Sequence, residues 1–170
     1  MMQDLFSCKQ WMCRLVMTSL ILLSLLSGAQ AERPRLLKAG AGLAGVLDSD
    51  RDEILFGVLE YRPVWMYKSL RPWIGIMSSD QEFFVGGGIE LEYAINAHWL
   101  LIPGAGLGCY LEDNGLKLGS HLEFKTFLEL DYRFSNASRI GLRVSHLSNA
   151  GLDDRNPGAE SLTILYAHPF

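Results

Sequence analysis

The chain has 170 residues, with 15 Lys and Arg against 19 Asp and Glu, a net charge of −4 and a hydrophobic content of 49%. That length accommodates a leader and one ordinary domain, not two, and an acidic balance without a basic patch excludes a nucleic-acid-binding surface. Beyond the N-terminal region no apolar run is long enough for a membrane helix, so the apolar residues must be spread in a shorter period.

Lys9 and Arg14 precede or open an apolar run from Leu15 to Leu26, and Ala29-Gln30-Ala31 follows. This is the order of a secretory signal with a small-residue cleavage site. A membrane anchor needs about 20 apolar residues, whereas this run is shorter and broken by Thr18, Ser19 and Ser24. The expected organisation is a signal peptide over 1–31 and one domain over 32–170. Cys8 and Cys13 leave with the leader, so Cys109 is expected to pack as a lone, inert thiol, and no internal disulfide is expected to support the mature fold.

Gly40-Ala41-Gly42-Leu43-Ala44-Gly45 matches the G-x-G-x-x-G spelling of a dinucleotide site, but its context fails. Few mature residues precede it, and Asp48-Ser49-Asp50 breaks the chain where a helix should begin. Small residues in a strand explain it better. No H-E-x-x-H, paired C-x-x-C, G-x-S-x-G or phosphate loop occurs, so neither a cofactor nor a metal is expected.

Period two is the dominant pattern. From Phe83 to Ile95 the odd positions Phe83, Val85, Ile89, Leu91, Tyr93 and Ile95 oppose Glu82, Glu90 and Glu92. From Leu118 to Phe134 the even positions are largely apolar and the odd ones include His121, Glu123, Lys125, Glu129, Asp131 and Arg133. Such segments are strands facing two different solvents. The same reading gives strands at 36–47, 53–61, 70–78, 82–95, 98–111, 117–134, 138–148 and 160–170, with turn residues at Asp48-Ser49-Asp50, Ser78-Ser79-Asp80, Asp113-Asn114-Gly115 and Asn136-Ala137.

Eight strands of this length suit an antiparallel transmembrane β-barrel of the outer membrane. A soluble lipocalin-type barrel has the same alternation with the faces exchanged. The last strand tips the choice: Ile164, Tyr166, His168 and Phe170 line one face, and this resembles the terminal strand by which outer-membrane barrels are recognised for assembly. The charged face then becomes the lumen, where Glu90, Glu92, Glu123, Lys125, Glu129, Asp131, Arg133 and Arg143 are expected to pair in a structural ion network. Asp80, Asp113, Asp153, Asp154 and the aspartates at 48, 50 and 52 fall in connections expected to face outside, as a solvated acidic rim.

In the seventh strand Ile140, Leu142, Val144, His146 and Ser148 share one parity; in the eighth, Glu160, Leu162, Ile164 and Tyr166 do. Three polar groups thus continue a lipid-facing surface, where uncompensated polarity is costly and tends to be functional. A hairpin closed by the 149–159 loop is expected to set Ser148 across from Glu160, with His146 as the diagonal neighbour. Nucleophile, base and orienter are then within reach of one another.

His146-Leu147-Ser148-Asn149-Ala150-Gly151, Asn156-Pro157-Gly158 and Glu160 resemble the active-site segment of the lipid A 3-O-deacylase family. The resemblance implies an outer-membrane esterase that releases the acyl chain at the 3 position of lipid A as a 3-hydroxy fatty acid. It implies Ser148 as nucleophile, His146 as general base, Glu160 as its orienter and Asn149 as support near the oxyanion hole. Lipid A within lipopolysaccharide is the implied substrate, reached laterally at the outer leaflet of a bacterial outer membrane; a homodimer stays open. The alternative is a non-catalytic barrel serving adhesion or membrane structure.

Overall fold

The computed structural model describes residues 34–46, 53–64, 69–113 and 115–170. The expected signal peptide, the turn at Asp48-Ser49-Asp50 with Asp52, and Asn114 lie outside these. The chain forms β1 (Leu36–Ala44), β2 (Ile54–Arg62), β3 (Leu70–Ser78), β4 (Glu82–Leu91), a two-residue β5 (Tyr93–Ala94), β6 (Trp99–Glu112), β7 (Leu122–Arg133), β8 (Arg139–Ser148) and β9 (Ala159–Pro169).

Neighbours pair antiparallel in the order β4-β3-β2-β1-β9-β8-β7-β6-β5, and a further β4–β6 pairing closes the ring. Closure satisfies the backbone without leaving an edge, the condition for crossing a bilayer with strands. The eight long strands match the expected set apart from their ends. The largest departure is at the sixth: β7 starts at Leu122 rather than near 117. Leu116 and Leu118, 7% and 0% exposed, instead tuck into the barrel mouth, because apolar side chains beside an open lumen gain more from filling it than from extending a strand.

The faces are those of a membrane barrel. Leu55, Leu111, Leu128, Ile140, Leu142, Val144 and Ile164 are exposed, whereas Glu60, Arg62, Arg71, Glu90, Glu129 and Arg143 are buried. In a soluble barrel that assignment would be reversed. The terminal strand keeps its expected face outward, with Ile164 and Tyr166 exposed and Phe170 stacked near Tyr61, ring centroids 6.1 Å apart. At the end that holds both β1's start and β9's finish, Trp99, Tyr132 and Phe134 form an edge-to-face series with centroids 5.2 Å apart, the kind of aromatic girdle that marks a membrane interface.

Inside, the lumen has two halves. Toward the terminal end Arg143 donates from Nη1 and Nη2 to the two carboxylate oxygens of Glu60, at 2.7 and 2.8 Å, and from Nε to Glu129 at 2.7 Å. Arg62 bonds Glu90 at 2.8 Å, Arg139 clasps Glu92 at 2.9 and 3.1 Å, and Lys38 bridges Glu129 and Asp131. Lys38, Glu60, Arg62, Arg71 and Arg139 join the expected network. Two expected members do not: Arg133 lies at the rim and donates to Ala97 O at 2.8 Å, since the last residue of β7 has reached the connection, and Glu123, fully buried toward the distal end, has no hydrogen-bond partner for either carboxylate oxygen among the described residues. Toward the distal end the filling is mostly apolar, with Phe56, Met77, Phe84, Tyr110, Leu118, Leu147 and Ala159 in one cluster beside the buried Glu82, Glu123 and Lys125. Cys109, expected to be a lone thiol, is instead disulfide-bonded.

Candidate active site

The distal end carries the connections 45–53, 79–81, 113–121 and 149–158, and the proposed triad sits there. His146 and Ser148 are the last two outward-facing residues of β8, in phase with exposed Leu142 and Val144; Glu160 opens the outward series of β9. The register differs from the expected one by two residues. His146, not Ser148, lies directly across from Glu160, and the rungs on either side pair Ser145 with Ser161 and Leu147 with Ala159. The loop sets this register.

That loop is organised by Asn149, which is fully buried. Its amide nitrogen donates both hydrogens, to Leu118 O at 2.8 Å and Arg155 O at 2.7 Å; its Oδ1 accepts the Gly151 N–H at 2.9 Å, and its own N–H goes to Asn156 Oδ1 at 3.0 Å. Ala150 and Gly151 then turn the chain with φ of 55° and 80°. The Asn149 side chain thus ties the 113–121 connection to the 149–158 connection. Both of its N–H groups are spent on backbone carbonyls, so in this arrangement it supports the loop rather than facing an ester oxygen.

With the register so set, His146 Nδ1 lies 3.0 Å from Glu160 Oε1, and the two side chains are 45% and 34% exposed. The carboxylate therefore occupies one imidazole nitrogen and leaves Nε2 for another partner. Ser148 stands two residues on, on the same face; among the described residues no hydrogen bond joins its Oγ to His146. Gly158 completes the wall around the imidazole. Its φ is +71°, and a Cβ there would come within 2.7 Å of His146 Cε1, so only glycine permits both the turn and this approach.

On the other flank Thr126 faces His146 across the ladder and Phe124 faces Ser148. An open groove of about 310 Å³ runs outside the barrel beside the imidazole, between Thr126, Leu128, Val144, His146 and Glu160. Sequence reasoning did not find Thr126, and it quoted Gly158 in the motif without giving it a role. Gly158 had a signal, since Asn156-Pro157-Gly158 calls for a residue with positive φ; Thr126 had none, because its proximity depends on the β7–β8 register.

The Gly40–Gly45 run lies in and just beyond β1, with no helix. A Cβ at Gly42 would meet Leu162 O at 2.5 Å and the Phe56 ring at 2.7 Å, so close strand approach rather than phosphate binding accounts for that glycine. Among the described residues no group of three or more His, Cys, Asp or Glu is arranged to hold a metal ion.

Similar proteins share the fold and, over shorter stretches, the sequence. The Lipid A deacylase PagL of Bordetella bronchiseptica is 37% identical over 54 residues, 32% of this chain and 30% of that protein. The Lipid A deacylase PagL of Pseudomonas aeruginosa is 40% identical over 52 residues, 31% of this chain and 30% of that protein. The matched stretch thus spans under a third of each relative. The crystal structure of the outer membrane enzyme PagL superimposes with a TM-score of 0.60 at 22% identity, covering 79% of this chain and 99% of that one. With an apolar exterior and a charged lumen, the barrel belongs in the bacterial outer membrane. The family model for lipid A 3-O-deacylase (PagL) matches residues 64–169, well over half the sequence, and the chain belongs to that family.

Proposed function

We propose that the protein is an esterase that hydrolyses the ester-linked acyl chain at the 3 position of lipid A and releases a 3-hydroxy fatty acid. The observation that carries this reading is the His146–Glu160 pair, 3.0 Å apart on an otherwise apolar, lipid-facing wall with Ser148 beside it. Exposed ion pairs contribute little to stability, and polar groups on this surface are costly, so folding alone gives no reason to place them there.

Ser148 Oγ attacks the ester carbonyl while its proton passes to His146 Nε2; Glu160 holds the Nδ1–H and stabilises the imidazolium. The tetrahedral intermediate collapses, the sugar oxygen leaves with the proton from His146, and the acyl group remains on Ser148. Water, deprotonated by the same imidazole, then releases the fatty acid and restores the serine. The scissile chain lies in the groove along Thr126, Leu128 and Val144, so substrate arrives from the membrane and the filled lumen is not a route. The site faces the outer leaflet when both ends of the barrel sequence are periplasmic.

Mass spectrometry of lipid A from a host lacking such an enzyme tests the proposal. Expression of the folded protein should remove one 3-hydroxyacyl chain. Unchanged lipid A, with the barrel folded and in the outer membrane, would refute the esterase and favour a structural or adhesive barrel.

A further inference from the structure

Two apolar grooves lie at or beside the candidate site, and only the smaller one, which touches it, is used by the reaction above. Ladder partners trace the other. Ser148 faces Phe124, Phe124 faces Leu107, Leu107 faces Gly87, and Gly87 faces Ile74. The neighbouring row runs from His146 through Thr126 and Ala105 to Ile89. These residues share the outward parity of exposed Ile76, Phe83, Leu111 and Leu128. The row slopes, because Ser148 ends β8 at the distal end whereas Ile74 is midway along β3 and its next partner, Tyr61, is one residue from the opposite end of β2.

Along this slope lies a groove of about 410 Å³, with Gly87 and Ala105 as its floor and Ile74, Ile89, Leu107 and Phe124 among its walls. Adjacent strands are about 4.8 Å apart. The groove therefore starts one strand, about 5 Å, from Ser148 and descends to β3, roughly 20 Å away. Its volume falls within the range of small-molecule sites, roughly 300–1,000 Å³. An uninterrupted apolar lining suits hydrocarbon and no polar headgroup.

We propose that this groove is a second acyl-chain subsite, which holds a non-scissile acyl chain of the lipid whose ester lies at Ser148. The inference rests on the esterase reading. The smaller groove touches His146 and Glu160 directly, where the scissile ester must sit. The larger one begins one strand away, as a chain attached to a neighbouring position of the same headgroup requires. Lipids with a chain in both grooves are thereby held more firmly than lipids with one, and occupancy of the second groove turns the headgroup so that one particular ester reaches Ser148.

Binding in the Ser148→Ala background separates the subsite from turnover. The probes are a glucosamine acylated at positions 2 and 3 and one acylated at position 3 alone, titrated against refolded, heat-modifiable protein in detergent. Ala105→Phe, which fills the groove floor, should weaken binding of the two-chain probe at least tenfold and the one-chain probe less than threefold; Gly87→Val repeats the test should Ala105→Phe fail to fold. Ile164→Phe on β9, across the barrel from β4, should change neither. Equal losses for both probes, or no loss for the two-chain probe, would overturn the subsite and leave the groove to bulk membrane lipid. Discrimination between the probes by a protein that cleaves neither with Ser148 intact would support the groove while removing the esterase.

Discussion

Adjacent rungs of the β8–β9 ladder carry two polar pairs that face opposite solvents. Ser145 and Ser161 point inward, 7% exposed each, and share a hydrogen bond of 2.7 Å. His146 and Glu160, one rung on, point outward and keep 45% and 34% of their side chains exposed. The inner pair is bonded within itself: one hydroxyl donates and the other accepts, so each buried group has a partner. The outer pair has no such need, because the surface around it calls for apolar side chains. Polarity inside the barrel is thus explained by folding, whereas polarity at the same height outside is what the proposed chemistry would require.

Replacing either end of the proton path should break this contrast most completely. Ser148→Ala and His146→Ala should each lower the lipid A deacylation rate by at least about 10³-fold, as losses of nucleophile or base do elsewhere, while heat-modifiability on gels stays unchanged. Substantial turnover by folded Ser148→Ala would move the nucleophile elsewhere. Glu160→Ala should cost less, about 10²-fold, since an unoriented imidazole retains some basicity toward the serine. Single-turnover kinetics on refolded protein would measure it, and an effect equal to that of His146→Ala would make the carboxylate more than an orienter.

Gly158→Ala tests whether the imidazole must stay where the loop holds it. A methyl group there meets His146 Cε1 and strains a backbone with φ of +71°. The expected result is a fall of about tenfold in kcat, from misplacement by a fraction of an ångström, with KM little changed. The smallest effect belongs to the inner rung. Ser145→Ala and Ser161→Ala should leave deacylation within about twofold and cost about 1 kcal/mol of stability, the price of one buried hydrogen bond. Denaturant titration in detergent reads the second quantity, and a collapse of activity in folded Ser145→Ala would show that the two faces are not independent.

Much of this was legible because a membrane barrel writes its faces into parity. Along β7 the alternation of Glu123, Lys125, Glu129 and Asp131 with Phe124, Leu128 and Leu130 needs no partner strand to be read. The outward placement of His146, Ser148 and Glu160 followed from the same count. Where a segment left the strand period, reading by parity failed: Leu118 continued the alternation on paper yet folds into the lumen, and Arg133 kept its parity yet ends at the rim.

Contacts between strands were of another kind. The sequence by itself determined which residues share a face, since successive side chains on a strand must point to opposite sides. It also determined that the faces meet different solvents, and its last thirty residues carried the family resemblance. Only the tertiary structure decided that His146 rather than Ser148 stands across from Glu160, that Thr126 and Phe124 flank them, and that Asn149 spends its amide on Leu118 and Arg155. The physical reason is that parity is local while register is not. A slip of two residues in the 149–158 connection leaves every face unchanged and alters every cross-strand partner, so the pairing is chosen by the loop's hydrogen bonds and by closure of the whole ring.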